Sequence, residues 1–224
     1  MEQHYYEAYD DRYRQVHQAG LQWFDSAPSP IVAEIMDAFQ LSKTSRILEI
    51  GCGEGRDAIA LLEQGYPLLA TDISPEAIRF CRSRFPKYES NFQVLDCIAG
   101  QLEESFDMIF AVAVIHMLVV DEDRCQFYRF IRNHLRPGGI ALICSMGDGK
   151  EEFQSDIHTA FQCQERRHEA SGTMLQIAGT SCRVVSSDTF TKELTENGLT
   201  ILQQGHTAII PDFPQMIYAV VKAL

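Results

Sequence analysis

Short apolar runs alternate with segments of helical period through the middle of the chain. Residues 46–50 (RILEI), 67–71 (PLLAT), 92–95 (FQVL), 106–115 (FDMIFAVAVI) and 140–145 (IALICS) read as strands. The fourth has the unbroken apolar character of a strand buried on both faces. Between them, residues 56–64 are helical and stop at Gly65. A second helix runs from Ser74 to Phe85, with Ser74 as N-cap and Pro75 in its first turn. Residues 122–134 form a third, and Arg136-Pro137-Gly138-Gly139 a turn. This alternation predicts βαβ units and a parallel sheet. A helix over 31–40 precedes it. A helix over 187–197 and strands over 199–209 and 215–223 follow it. Two regions break the rhythm. Residues 1–30 are aromatic and charged, with Tyr5, Tyr9 and Tyr13 at helical spacing, and residues 147–184 mix small and polar types. The latter predict a helix near 151–161 and a hairpin near 173–184. No linker-like stretch divides the chain, which reads as one domain over 1–224, with an N-terminal cap (1–30) and an insertion (147–184).

With 224 residues, such a domain buries a core without disulfides or metal. Charge sharpens the picture. Nineteen basic against 31 acidic side chains leave a net charge of −12, which repels phosphate backbones and argues against nucleic acid as a partner. The longest apolar stretch, Met108 to Val120, is shorter than the roughly 20 residues a bilayer requires. The polar start, MEQHYYEAYDDRYR, has no signal-peptide character. The seven cysteines contain no CxxC pair and read as reduced thiols. A cytoplasmic protein with no membrane partner is expected.

The candidate chemistry lies in Glu49-Ile50-Gly51-Cys52-Gly53-Glu54-Gly55-Arg56. A glycine-rich turn from strand to helix lets a ligand approach the backbone and offers it N–H groups. Dinucleotide sites prefer G-x-G-x-x-G, whereas here the spacing is G-x-G-x-G and Arg56 takes the third glycine's place. Asp72, at the end of the second strand, is suited to accept from ribose hydroxyls in either ligand class. Asp96-Cys97 follow the third strand, where an acid would accept from an adenine amine.

Taken together, EIGCGEGR, the two acids, FDMIFAVAVIHML and LRPGGIALI resemble the class I S-adenosylmethionine-dependent methyltransferases of the small-molecule branch. The resemblance implies a Rossmann-like α/β three-layer sandwich, with a mostly parallel seven-stranded sheet whose last strand is antiparallel. It implies S-adenosyl-L-methionine as cofactor and methyl transfer to an oxygen, nitrogen or sulfur of a small-molecule acceptor. Glu49, Gly51, Cys52, Gly53 and Gly55 would form the loop that cradles its methionine part. Asp72 would take the ribose, Ile73 would pack on the adenine, and Asp96 and Cys97 would meet its amine. Ala111 would touch the amino acid end. His116, just past the fourth strand, is either a base or a packed histidine under the cofactor. Tyr9, Tyr13, Trp23 and Phe24 suggest a lid or an amphipathic packing face. Arg166, Arg167, His168 and Arg183 suggest a grip on an acceptor's anion or simply solvated charge. The fourth strand carries neither a [DN]PPY motif nor a carboxylate for a catalytic metal, so no metal is expected. A non-catalytic S-adenosylmethionine-binding module, a protein or RNA methyltransferase and a dinucleotide-dependent oxidoreductase are the rivals.

Overall fold

The computed structural model describes residues 3–23, 27–168, 171–210 and 213–224. Its centre is one seven-stranded sheet. In chain order the strands and helices around it are α1 (Ala8–Gln18), α2 (Pro30–Ala38), β1 (Ile47–Ile50), α3 (Arg56–Glu63), β2 (Leu68–Asp72), α4 (Pro75–Arg84), β3 (Phe92–Val94), β4 (Phe106–Val112), α5 (Asp121–His134) and β5 (Leu135–Met146). Then follow β6 (Phe153–Gln154), β7 (Cys163–Arg167), β8 (Met174–Ala178), β9 (Arg183–Val184), α6 (Ser187–Glu196), β10 (Leu199–Thr207) and β11 (Met216–Ala223).

The sheet order is β10-β11-β5-β4-β1-β2-β3. Strands β1 to β5 pair in parallel, while β11 runs antiparallel to both its neighbours. This is the Rossmann-like sheet with an antiparallel last strand. Strand alternation splits the core in two. Ile47, Met108, Phe110 and Leu142 pack with α2, α3 and α4, whereas Leu48, Ile109, Ala141 and Ile143 pack with α5 and α6. Three layers result. The N-cap read at Ser74 is made: its Oγ accepts from the Ala77 N–H at 3.0 Å. Residues 136–139 bulge out of the ladder, because Phe106 pairs with Leu135 and Met108 with Ile140.

The 147–184 region differs from expectation. There is no helix at 151–161. Phe153 and Gln154 pair with β9, and one short 3₁₀ turn spans Ile157–Thr159. Phe153 is exposed and Glu152 is engaged with Ser186 and Thr189 at the start of α6, so the segment has no apolar face to bury as a helix. The hairpin lies upstream of its expected place and joins β7 to β8. Every residue of β7 is exposed, so it lacks the apolar alternation that marks a strand.

This ribbon carries the N-terminal helix. Val16 packs on Leu175 and Ile177, and Ala8 on Ala178. Arg12, buried in α1, donates to the carbonyls of Ala178 and Gly179 and to Thr180 Oγ1 at 3.1, 2.8 and 2.6 Å. On its other flank, Asp10 accepts from Ser74 Oγ and the Glu76 N–H, at 2.6 and 2.9 Å. The cap is thus pinned between the ribbon and α4. No helix among the described residues is long and apolar enough to cross a membrane.

Candidate functional site

The site lies where β1, β2 and β4 deliver their carboxyl ends beneath α1. Between β1 and α3 the chain must turn sharply without side chains in the way. Gly51 has φ +72°, and a Cβ there would lie 2.4 Å from Val114 Cγ2. At Gly53, φ +53°, a Cβ would lie 2.6 Å from the Tyr13 hydroxyl. Both positions therefore need glycine.

Two cavities flank this loop. The larger, about 200 Å³, is lined by Glu49, Gly51, Cys52, Gly53, Val112, Ala113 and Phe213, among others. The smaller, about 70 Å³, is lined by Tyr6, Tyr9, Ile50, Asp72, Ile73, Leu95, Asp96 and Cys97, among others. Tyr13, Gly51 and Met117 line both. Glu49, Cys52 and Gly53 thus face one cavity, the two strand-end acids Asp72 and Asp96 face the other, and Gly51 stands between them.

Asp72 is buried, with one oxygen accepting from the Gly53 N–H and the other from the Ser74 N–H, each at 2.8 Å. Burial pushes its carboxyl up to about 6 even though these bonds oppose the shift. With the Ile73 N–H also contributing, the carboxylate still has acceptor capacity for a ligand hydroxyl. Asp96 accepts from the Ile98 N–H at 2.8 Å and from the Tyr6 hydroxyl at 3.4 Å. Glu49 is the least satisfied acid. Its Oε2 is buried with no hydrogen-bond partner among the described residues. Burial, reinforced by Asp57, raises its carboxyl well above the usual range. Burial also raises the Cys97 thiol, and the Cys81 contact with burial raises that of Cys52, so neither is a thiolate nucleophile.

Other sequence candidates lie elsewhere. Gly55 lines neither cavity and serves as the left-handed N-cap of α3. Ala111, expected to touch the amino acid end of the cofactor, is instead fully buried in the α5–α6 core, and the next two residues reach the cavity. Ala113, φ +61°, turns the chain out of the sheet there. His116 lines neither cavity. It stands 6.1 Å from Phe213, ring to ring, with Nδ1 buried and without a partner among the described residues. Burial, then Arg124 and Arg12, lower it to about 4, so the ring is neutral at neutral pH. Trp23 packs on Arg12 and donates its backbone N–H to Glu54. Phe24 lies outside the described residues. Arg183 is committed to the Val119 carbonyl and to Asp121, and Arg167 is exposed on β7. Neither reaches the cavities. The sequence reading missed Val112, Ala113 and Phe213 as cavity lining and left Met117 open between core filler and pocket lining; no local motif marks them. Among the described residues, no group of three or more His, Cys, Asp or Glu side chains is arranged to hold a metal.

Residues 48–141 match the family profile described as a methyltransferase domain. Over 119 residues the chain is 32% identical to hemagglutinin 1 of Eikenella corrodens, covering 51% of this chain and 38% of that protein. Over 115 residues it is 26% identical to the probable S-adenosyl-L-methionine-dependent methyltransferase TehB of Haemophilus influenzae, covering 50% and 40%. The chain therefore spans about two fifths of the length of these relatives. Its fold matches that of the glycopeptide N-methyltransferase MtfA complexed with S-adenosyl-L-methionine, with a TM-score of 0.65, 19% identity, and 89% and 96% of the two chains covered.

Proposed function

From the match of residues 48–141 to a methyltransferase domain and the geometry of the site, we propose that the chain is a class I methyltransferase that transfers a methyl group from S-adenosyl-L-methionine to an oxygen, nitrogen or sulfur of a small molecule. The observation that carries the reading is Glu49 Oε2, a buried acceptor without a hydrogen-bond partner among the described residues, beside a loop with no room for a Cβ at Gly51 or Gly53. Such an atom fits a ligand ammonium, which would restore its ionised form. Asp72 and Asp96 fit hydroxyl and amine donors, and Ile73 offers an apolar wall beside them.

When bound, S-adenosyl-L-methionine supplies a methyl group already activated by its sulfonium. What remains for the protein is to bind, align and exclude water. Glu49 and the Gly51–Gly53 turn would hold the amino acid end, and Asp72 and Asp96 the nucleoside end. From the cap, Tyr13 reaches both cavities and Tyr9 the smaller one. Val112, Ala113, Met117 and Phe213 give the larger cavity an apolar side that would receive the acceptor. The cap and the 147–184 insertion pack as one unit and would shape its entrance. His116, neutral and behind Phe213, supports a packing role more than a base; an unchanged transfer rate in His116→Gln would settle against the base. The acidic surface disfavours nucleic acid, and the seven unpaired cysteines suit the cytoplasm.

The test is a thermal-shift titration with S-adenosylmethionine, S-adenosylhomocysteine, NAD and NADP in parallel. The two S-adenosyl compounds should stabilise the protein, by about 2.7 kcal/mol at a hundredfold excess over Kd. Stabilisation by NAD or NADP alone would overturn the reading. An acceptor screen with labelled methyl follows, and binding without transfer to any acceptor would leave a non-catalytic binding module.

A further inference from the structure

The helix above the glycine loop is fastened by a histidine whose contacts require its charge. His17, in the last turn of α1, places Nε2 2.8 Å from Glu54 Oε1 and Nδ1 2.7 Å from Glu76 Oε1. Its side chain is 8% exposed, and those of Glu54 and Glu76 are 5% and 11%. A carboxylate only accepts, and a neutral imidazole carries a single N–H. Both contacts are hydrogen bonds only when both ring nitrogens are protonated; a neutral ring would aim a lone pair at one of the acids.

The two acids belong to different parts of the site. Glu54 stands between Gly53 and Gly55, and its Oε1 also accepts the Trp23 N–H at 2.8 Å. Glu76 opens α4, whose Phe80 stacks on the imidazole at 4.5 Å. Other charged and titratable groups face the ring. Arg79 of α4 is paired to Glu76 at 2.9 Å; Arg84 and His168 share its outer groove; Tyr13 lies one turn back on α1 at 6.0 Å. Burial alone would lower the imidazolium's pKa, but Glu54 and Glu76 outweigh it and hold the group above its ordinary 6.5.

We propose that His17 is a positioning residue, a proton-dependent latch that holds the last turns of α1 and Tyr13 across the glycine loop while the imidazolium bridges Glu54 and Glu76, and loosens that end of the helix when the ring loses its proton, Arg12 and Asp10 keeping the rest in place. The sign follows from the bridge. The latch is fully engaged below the ordinary histidine value and is lost as pH rises through the higher value of the closed protein. Tyr13 sits over Gly53, so unlatching uncovers the loop that the cofactor reading assigns to the methionine part. The ligand-release arm of the test rests on that reading, and the fluorescence arm does not.

Trp23 is the only tryptophan; its backbone N–H is tied to Glu54, and its ring lies under the guanidinium of Arg12 in α1 at 5.0 Å. Its emission therefore reports the latch in the ligand-free chain. Across a titration from about pH 6 to 9, wild-type emission should shift in one step with a midpoint above the usual histidine value. Release of S-adenosylhomocysteine, followed by stopped-flow displacement, should accelerate about tenfold across the same step, equivalent to about 1.4 kcal/mol. His17→Gln keeps an amide donor without the charge; its emission step should vanish and its release should be fast at every pH. Glu76→Gln leaves the Glu54–Trp23 contact in place and should shift the midpoint downward, with circular dichroism melts verifying the fold of each variant. A step that persists at the same midpoint in His17→Gln, or wild-type emission flat over the range, overturns the latch. An emission step without any binding of S-adenosylhomocysteine supports the latch and overturns the cofactor reading alone.

Discussion

Glu49 shows how a single residue trades stability for binding. A carboxyl held above its usual range in the folded state weakens folding once pH exceeds its unfolded value, because the unfolded chain ionises more easily. Removing that charge should help the empty protein and harm the loaded one. Glu49→Gln is expected to raise the melting temperature of the ligand-free protein at neutral pH by roughly 2–4 °C, corresponding to about 1 kcal/mol. The same change should weaken S-adenosylhomocysteine binding by roughly 1.5–3 kcal/mol, as calorimetry would measure. A variant that binds as tightly as wild type would remove Glu49 from the site. Residues of this kind were legible in the sequence because the loop that holds them is local. Gly51 and Gly53 announce positive φ within a few residues of a strand end. Ala113 adopts the same backbone region with no such signal, since its turn is imposed by packing around β4. The expectation at Ala111 failed for a related reason: alternation along β4 aims it into the α5–α6 core, and the cavity begins only where the strand stops.

At the scale of elements, α1 depends on what it rests against. Arg12 satisfies two carbonyls and a hydroxyl of the insertion from inside the core, with its guanidinium over the Tyr9 and Trp23 rings at 5.2 and 5.0 Å. Arg12→Ala removes the guanidinium from the Ala178 carbonyl and the Thr180 hydroxyl, and leaves the Gly179 carbonyl with only the Thr180 Oγ1–H. It should cost about 3 kcal/mol, or on the order of 6–12 °C in melting temperature, by scanning calorimetry. Arg12→Lys should recover only part of this, since one ammonium does not span the fork. A variant that melts like wild type would show that the helix is held by its apolar face alone. The helical spacing of the tyrosines made α1 readable, and apolar period made the sheet strands readable. The ribbon under α1 was not, because β7 exposes every residue and owes its pairing to β8 and to the helix above it. Nor did the sequence mark His17, whose carboxylate partners are 37 and 59 positions away in the chain.

Across the whole molecule, two titrations bound the range in which the site retains its ligand. In the proposed site, ligand hydroxyls would donate to an ionised Asp72, whose value of about 6 would set the acidic limb. Below it, affinity for S-adenosylhomocysteine should fall about tenfold per pH unit, because one proton competes with the ligand. Above the raised value of His17, release accelerates as the cap loosens. Affinity measured by titration calorimetry should therefore trace a bell. A curve flat from about pH 5 to 7 would exclude Asp72 as an acceptor of ligand hydroxyls. The sheet order has a different consequence, one of timing. Strand β11 lies between β5 and β10 although it comes last among the strands along the chain. Until residues 216–223 have emerged from the ribosome, β10 has no neighbour and β5 keeps an open side, so the sheet finishes only after nearly all its other parts are made. A nascent chain stalled before residue 216 would offer both unpaired edges, with the apolar face of β5, to any chaperone or aggregating neighbour within reach.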